Sequence, residues 1–99
     1  MTTIDHRKAA DDHLQLVIAD VQAQPQSASR DACLDECMAL RQAIRAFHME
    51  GIRFRMFNVD RFINRSGFAI SDDARRAYGD ARRELEAAGF HTRSHQAPS

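Results

Sequence analysis

Residues 51–57, Gly51-Ile52-Arg53-Phe54-Arg55-Met56-Phe57, decide the fold of this 99-residue chain. Ile52, Phe54 and Met56 alternate with Arg53 and Arg55, the period of a half-buried strand that sends its apolar residues to one face. A continued helix would scatter Ile52, Phe54, Met56 and Phe57 around its cylinder, so the alternation favours a short strand. Gly51 then ends the helix before it. Asn58 is placed to cap a short helix over Val59–Asn64 that turns Phe62 and Ile63 inward.

Upstream, two amphipathic helices are expected. The first runs from Ile4 to Ala23, capped by Thr2 or Thr3, with Asp5 in its first turn and Ala10, Leu14, Val17 and Val21 as its apolar stripe. Pro25 breaks the pattern. The second runs from Ser27 or Ser29 to Glu50, with Cys33, Cys37, Leu40, Ile44 and Phe47 on its buried side. So short a linker favours an antiparallel hairpin over residues 1–50, an arm suited to pairing two copies of the chain as a homodimer. Cys33 and Cys37 stand one helical turn apart, with Cβ atoms about 5–6 Å from each other. That exceeds the roughly 3.8 Å a disulfide wants. No second pair completes a zinc site, so both read as reduced thiols packed in a helix face.

Downstream, Ser66-Gly67 is a turn signal. Ser71 caps a helix over Asp72–Ala88, with Asp72 and Asp73 in the first turn and Ala74, Ala77, Tyr78, Ala81, Leu85 and Ala88 as its stripe. Gly89 suits the left-handed residue that stops it. Phe90-His91-Thr92-Arg93 reads as a second short strand, and residues 94–99 as a frayed tail.

The order from residue 34 onward is helix, strand, helix, turn, helix, strand. With the stretch Arg83-Glu84-Leu85-Glu86-Ala87-Ala88-Gly89-Phe90-His91-Thr92-Arg93, it resembles the winged helix-turn-helix family, whose recognition helices often end in a similar Leu-Glu-x-x-Gly-apolar-x-x-Arg pattern. The resemblance covers residues 34–93 and implies a mainly α (α+β) fold. That fold is one domain of 1–99: a helical hairpin over 1–50, a winged-helix-like part with a truncated wing over 51–93, and the tail. It further implies duplex DNA as partner and Asp72–Ala88 as the recognition helix. Arg75, Arg76, Arg82 and Arg83 would face the groove, with Arg53 and Arg55 on the solvent side of the strand and Arg93 at the base of the wing. Three features depart from the family pattern. Asp72 and Asp73 at the helix start would repel phosphate, Arg76–Asp80 and Arg82–Glu86 can pair at i,i+4, and no second wing strand is evident.

Net charge is zero, with 43% apolar and 28% charged residues, an ordinary globular balance. The charge is unevenly laid out. Residues 1–50 carry five Lys/Arg against eight Asp/Glu, and residues 51–99 nine Arg against six Asp/Glu. No run reaches the roughly 18 apolar residues of a membrane span, and no apolar stretch follows the first charges as in a signal peptide, so the expected compartment is the cytoplasm. A phosphate loop and a nucleophile elbow are absent, no third ligand joins any histidine pair, and neither catalysis, metal nor cofactor is expected. The expected role is a small non-enzymatic regulator that binds DNA through the arginine-flanked helix. The alternative is a protein-binding adaptor or inhibitor that uses the same surface.

Overall fold

A computed structural model describes residues 5–65, 68 and 70–90. They form four α-helices, α1 (His6–Ala23), α2 (Ala28–Arg45), α3 (Met49–Ile63) and α4 (Asp72–Ala87). Each helix starts in the same way, on an extended residue whose side chain accepts the N–H three positions on. Asp5 accepts from Lys8, Ser27 from Arg30, His48 from Gly51 and Ser71 from Ala74, at 2.9–3.1 Å. Asp5 is thus the cap of α1 and not a residue of its first turn.

The strand expected at residues 52–56 is helix. Ile52, Met56, Val59 and Ile63 are all buried, and their spacing of four, three and four is that of one helical stripe. The apparent alternation arises because Phe54 lies on the outer side of this helix, 42% exposed. The second helix stops at Arg45, not Glu50, and Gly51 belongs to the first turn of the third. A side chain there would collide, since an added Cβ would lie 2.8 Å from His48 Nδ1 and 3.3 Å from Ala43 Cβ. The glycine therefore answers a close approach at the α2–α3 turn. Phe90 follows α4 as a buried residue outside any strand, and 91–93 lie outside the described residues. Among the described residues there is no strand, so the helix-strand architecture of a winged helix gives way to an all-helical bundle.

α2 and α4 end in matching turns. After α2, His48 N–H donates to Ala43 O (3.0 Å) and Phe47 N–H to Ile44 O (3.1 Å), with Phe47 at φ 54°. After α4, Phe90 N–H donates to Leu85 O and Gly89 N–H to Glu86 O, both at 2.9 Å, with Gly89 at φ 100°. Both are Schellman motifs.

The helices run alternately up and down. Asp11 reaches Arg41, Glu36 reaches Arg55, and His6 reaches Glu84, so each helix is antiparallel to the one it pairs with. α1 lies between α2 and α4, and α2 carries α3 on its other flank. The alanines of α4 (Ala74, Ala77, Ala81) bring its backbone close to α1. α3 meets α4 through longer side chains, chiefly the Tyr78 hydroxyl donating to Met56 O at 3.0 Å and Arg82 reaching Asp60 at 3.2 Å. Leu14, Val17, Leu40, Ile52, Met56 and Leu85 are fully enclosed in the single core these faces share. No described helix is long and apolar enough to cross a membrane.

Candidate functional site

The four arginines expected to face DNA from α4 separate into two pairs. Arg75 and Arg82 turn toward α3. Arg75 donates to the carbonyls of Ile63 and Phe68, closing the C-terminal end of α3, while Arg82 bridges Asp60 and Glu86. Arg76 and Arg83 are exposed, each bonded to the carboxylate three residues before it, Asp73 and Asp80. On α3, Arg53 pairs with Glu50 at 3.3 Å, and Arg55 donates to both oxygens of Glu36. Arg93 lies outside the described residues. The six described arginines are thus dispersed over two helices, and each has an anionic or carbonyl partner inside the chain.

The outer face of α3 differs. Arg61 and Arg65 are exposed, and no carboxylate among the described residues is within ion-pair reach of either. Each guanidinium lies over a phenylalanine of α3, Arg61 from its last turn and Arg65 from just past its C-cap Asn64. Arg61 is 5.7 Å from the Phe57 ring centre and Arg65 is 5.0 Å from that of Phe62. Such stacking restrains the cation while leaving its in-plane N–H groups available. Beside them runs a groove of about 260 Å³ between α2 and α3, lined by Glu36, Asn58, Arg61, Phe62 and Arg65. Glu36 is already engaged by Arg55 and by the Asn58 amide, so its charge is compensated and the groove keeps an excess of two cations. Phe54, packed under Arg55 at 5.2 Å, extends this face toward the start of α3.

A strand over 52–56 and a separate helix over 59–64 hide the Arg61–Phe57 neighbours, whereas Phe62 and Arg65 lie close in sequence on either reading. The signal was present. An arginine four residues after Phe57 and another three after Phe62 are stacking neighbours on a continuous helix.

The opposite pole holds a second groove, of about 330 Å³, lined by Asp5, Arg7, Lys8, Asp11, Ile44 and Arg45. Its charges are largely matched from within. Arg41 hydrogen-bonds Asp11 at 2.6 Å and, against the opposing effect of burial, holds that carboxyl below its usual range. Lys8 pairs with Asp12, and Arg7 donates to Ile44 O while covering Phe47. Burial also pushes Asp20 upward, but the N–H and hydroxyl of Ser71 outweigh it and leave the group lowered.

Cys33 and Cys37 are free thiols, both buried. The hydrogen bond between them and the surrounding core hold Cys37 protonated, far above the usual thiol range. Tyr78 is likewise raised, first by burial and then by the charge of Asp60. Among the described residues no three His, Cys, Asp or Glu side chains converge on a position for a metal ion, and His91 and His95 lie outside them. No family model, curated protein or solved structure matches the chain.

Proposed function

We propose that this chain is a small non-enzymatic regulator that binds another protein through the outer face of α3. The observation that carries the reading is the pair Arg61 and Arg65, stacked on phenylalanines, without carboxylate partners among the described residues, beside a groove that α2 and α3 leave open. Arginine and aromatic side chains are the groups from which binding hot spots are most often built. Recognition of duplex DNA by α4 loses its support on two grounds. Arg75 and Arg82 are drawn in against α3, and Asp72, Asp73 and Asp80 accompany the two arginines that remain outward.

Site-specific photo-crosslinking in cells tests the reading. A photoreactive residue at Phe54 is expected to give a discrete, protease-sensitive adduct that Arg61→Ala/Arg65→Ala removes. The same residue at Arg83 is expected to give none. Adducts that nuclease destroys, or duplex binding that falls at least about tenfold between roughly 50 and 200 mM salt, would return the function to nucleic acid.

A further inference from the structure

We infer, resting on that reading, that the partner segment is an acidic amphipathic helix. It lies along the α2–α3 groove with two carboxylates one turn apart on Arg61 and Arg65. The spacing carries the inference. Arg61 lies in the last turn of α3 and Arg65 just past its C-cap Asn64. The αR backbone of Asn64 and the Arg65 N–H bond to Phe62 O (3.2 Å) carry the turn on, so the two cations stand about one turn apart, the spacing of carboxylates at i and i+4 of a partner helix. Arginine restrained over a ring presents a fork of donors that fits a carboxylate in two-point contact. Phe62 lines the groove beside the cations, and Phe54 is exposed toward the other end of the same helix. An incoming helix with acidic residues on one edge and apolar residues beside them meets a matching surface at both, the helix-in-groove mode of peptide recognition.

The same contacts disfavour a nucleic acid. Phe57 and Phe62 each have a guanidinium over the ring, which obstructs the stacking that single strands use. Two uncompensated cations are few for a duplex, whose ligands commonly neutralise several phosphates. The acidic excess of residues 1–50, which include α2 on the other side of the groove, adds repulsion toward an extended polyanion. A short acidic helix touches only the cationic edge.

The test uses the full chain and three labelled probes in a binding titration. The first is a capped helical peptide of about 15 residues, long enough to hold helix in water, with glutamates four apart beside leucines. The second is its glutamine counterpart, and the third is random-sequence duplex DNA. The acidic peptide is expected to bind, the glutamine peptide about tenfold more weakly, and Arg61→Ala/Arg65→Ala to remove that difference. Arg76→Ala/Arg83→Ala, on the other helix, is the matched charge control and is expected to leave it intact. Equal binding of the two peptides would overturn the acidic partner while leaving protein binding in place. Absence of peptide binding together with an Arg61- and Arg65-dependent adduct at Phe54 would also overturn the acidic helix alone. Absence of both, or tighter binding of the duplex through these two arginines, would overturn the docking face itself.

Discussion

Phe47 and Phe90 meet edge to face, with ring centres 5.8 Å apart and planes at 86°. They occupy adjacent places in two copies of one turn. Phe47 is the left-handed residue after α2, while Phe90 follows Gly89, the left-handed residue after α4. One turn therefore uses glycine and the other accepts a strained phenylalanine, whose ring, 62% exposed, is held between Phe90 and Arg7.

That pairing separates backbone strain from ring contact. Phe47→Ala loses the aromatic contact and keeps the left-handed strain, whereas Phe47→Gly loses the contact and relieves the strain. The glycine variant is expected to be the more stable of the two by about 1 kcal/mol in urea denaturation. An alanine variant as stable as the glycine one would show that the φ of 54° costs nothing.

Helix propensity and packing disagree at Gly51. Alanine is the better helix former by about 1 kcal/mol. Here its Cβ would press on Ala43 and displace the His48 ring from its 2.9 Å bond to the Gly51 N–H. Gly51→Ala should therefore destabilise by about 1 kcal/mol, the usual worth of an N-cap. Gly79, whose Cβ would meet only the end of Arg83 at 3.7 Å, is the counter-case. Gly79→Ala should raise the denaturation midpoint by about 1 kcal/mol of stability, and a gain at both glycines would refute the close approach at residue 51.

The arginines of α4 should differ sharply in their effect on stability. Arg82→Ala takes the paired cation from Asp60, which is 5% exposed, and is expected to cost about 3 kcal/mol. Arg76→Ala and Arg83→Ala remove pairs at the surface and should leave the thermal midpoint where it is. Similar midpoints for all three variants would mean that Arg82 does not hold α3 to α4.

Tyr78 is the sole tyrosine and tryptophan is absent, so ultraviolet absorbance reports this one phenol. Burial raises its folded pKa above the unfolded value of about 10. The native state thus keeps its proton where the unfolded chain has released it. The resulting stabilisation is whole below pH of about 10 and is lost as pH rises through the folded pKa. Tyrosinate should appear only together with the loss of helical circular dichroism, and a phenol that titrates near pH 10 in fully helical protein would contradict its burial.

Much of this architecture is written plainly in the chain. Ser71, Gly89 and the alanine-rich stripe between them bound α4 as expected, though Ala88 is exposed. The stripe of α1 marks its buried side, and that of α2 does so up to Ile44, since Phe47 lies past the helix end and is exposed. The α2–α3 turn is harder to see because both of its signals are atypical. Phenylalanine stands where glycine usually ends a helix, and histidine caps where serine or aspartate usually does. With those markers disguised, Gly51 looked like a stop, and the stripe Ile52-Met56-Val59-Ile63 was cut at Asn58. Half of the candidate site went with it, since Arg61 acquires Phe57 as its neighbour only on an unbroken helix.

His6 touches Glu84 at 2.6 Å, which places the start of α1 and the end of α4 at one pole of the bundle. Arg65 and the end of α3 stand at the other, a helix length of about 20 Å away. A fluorophore, affinity handle or fused domain joined before α1 or after α4 is therefore attached far from the groove. Either junction suits immobilising the protein for binding work, and the α2–α3 turn is the poorer choice because it is built on a strained residue.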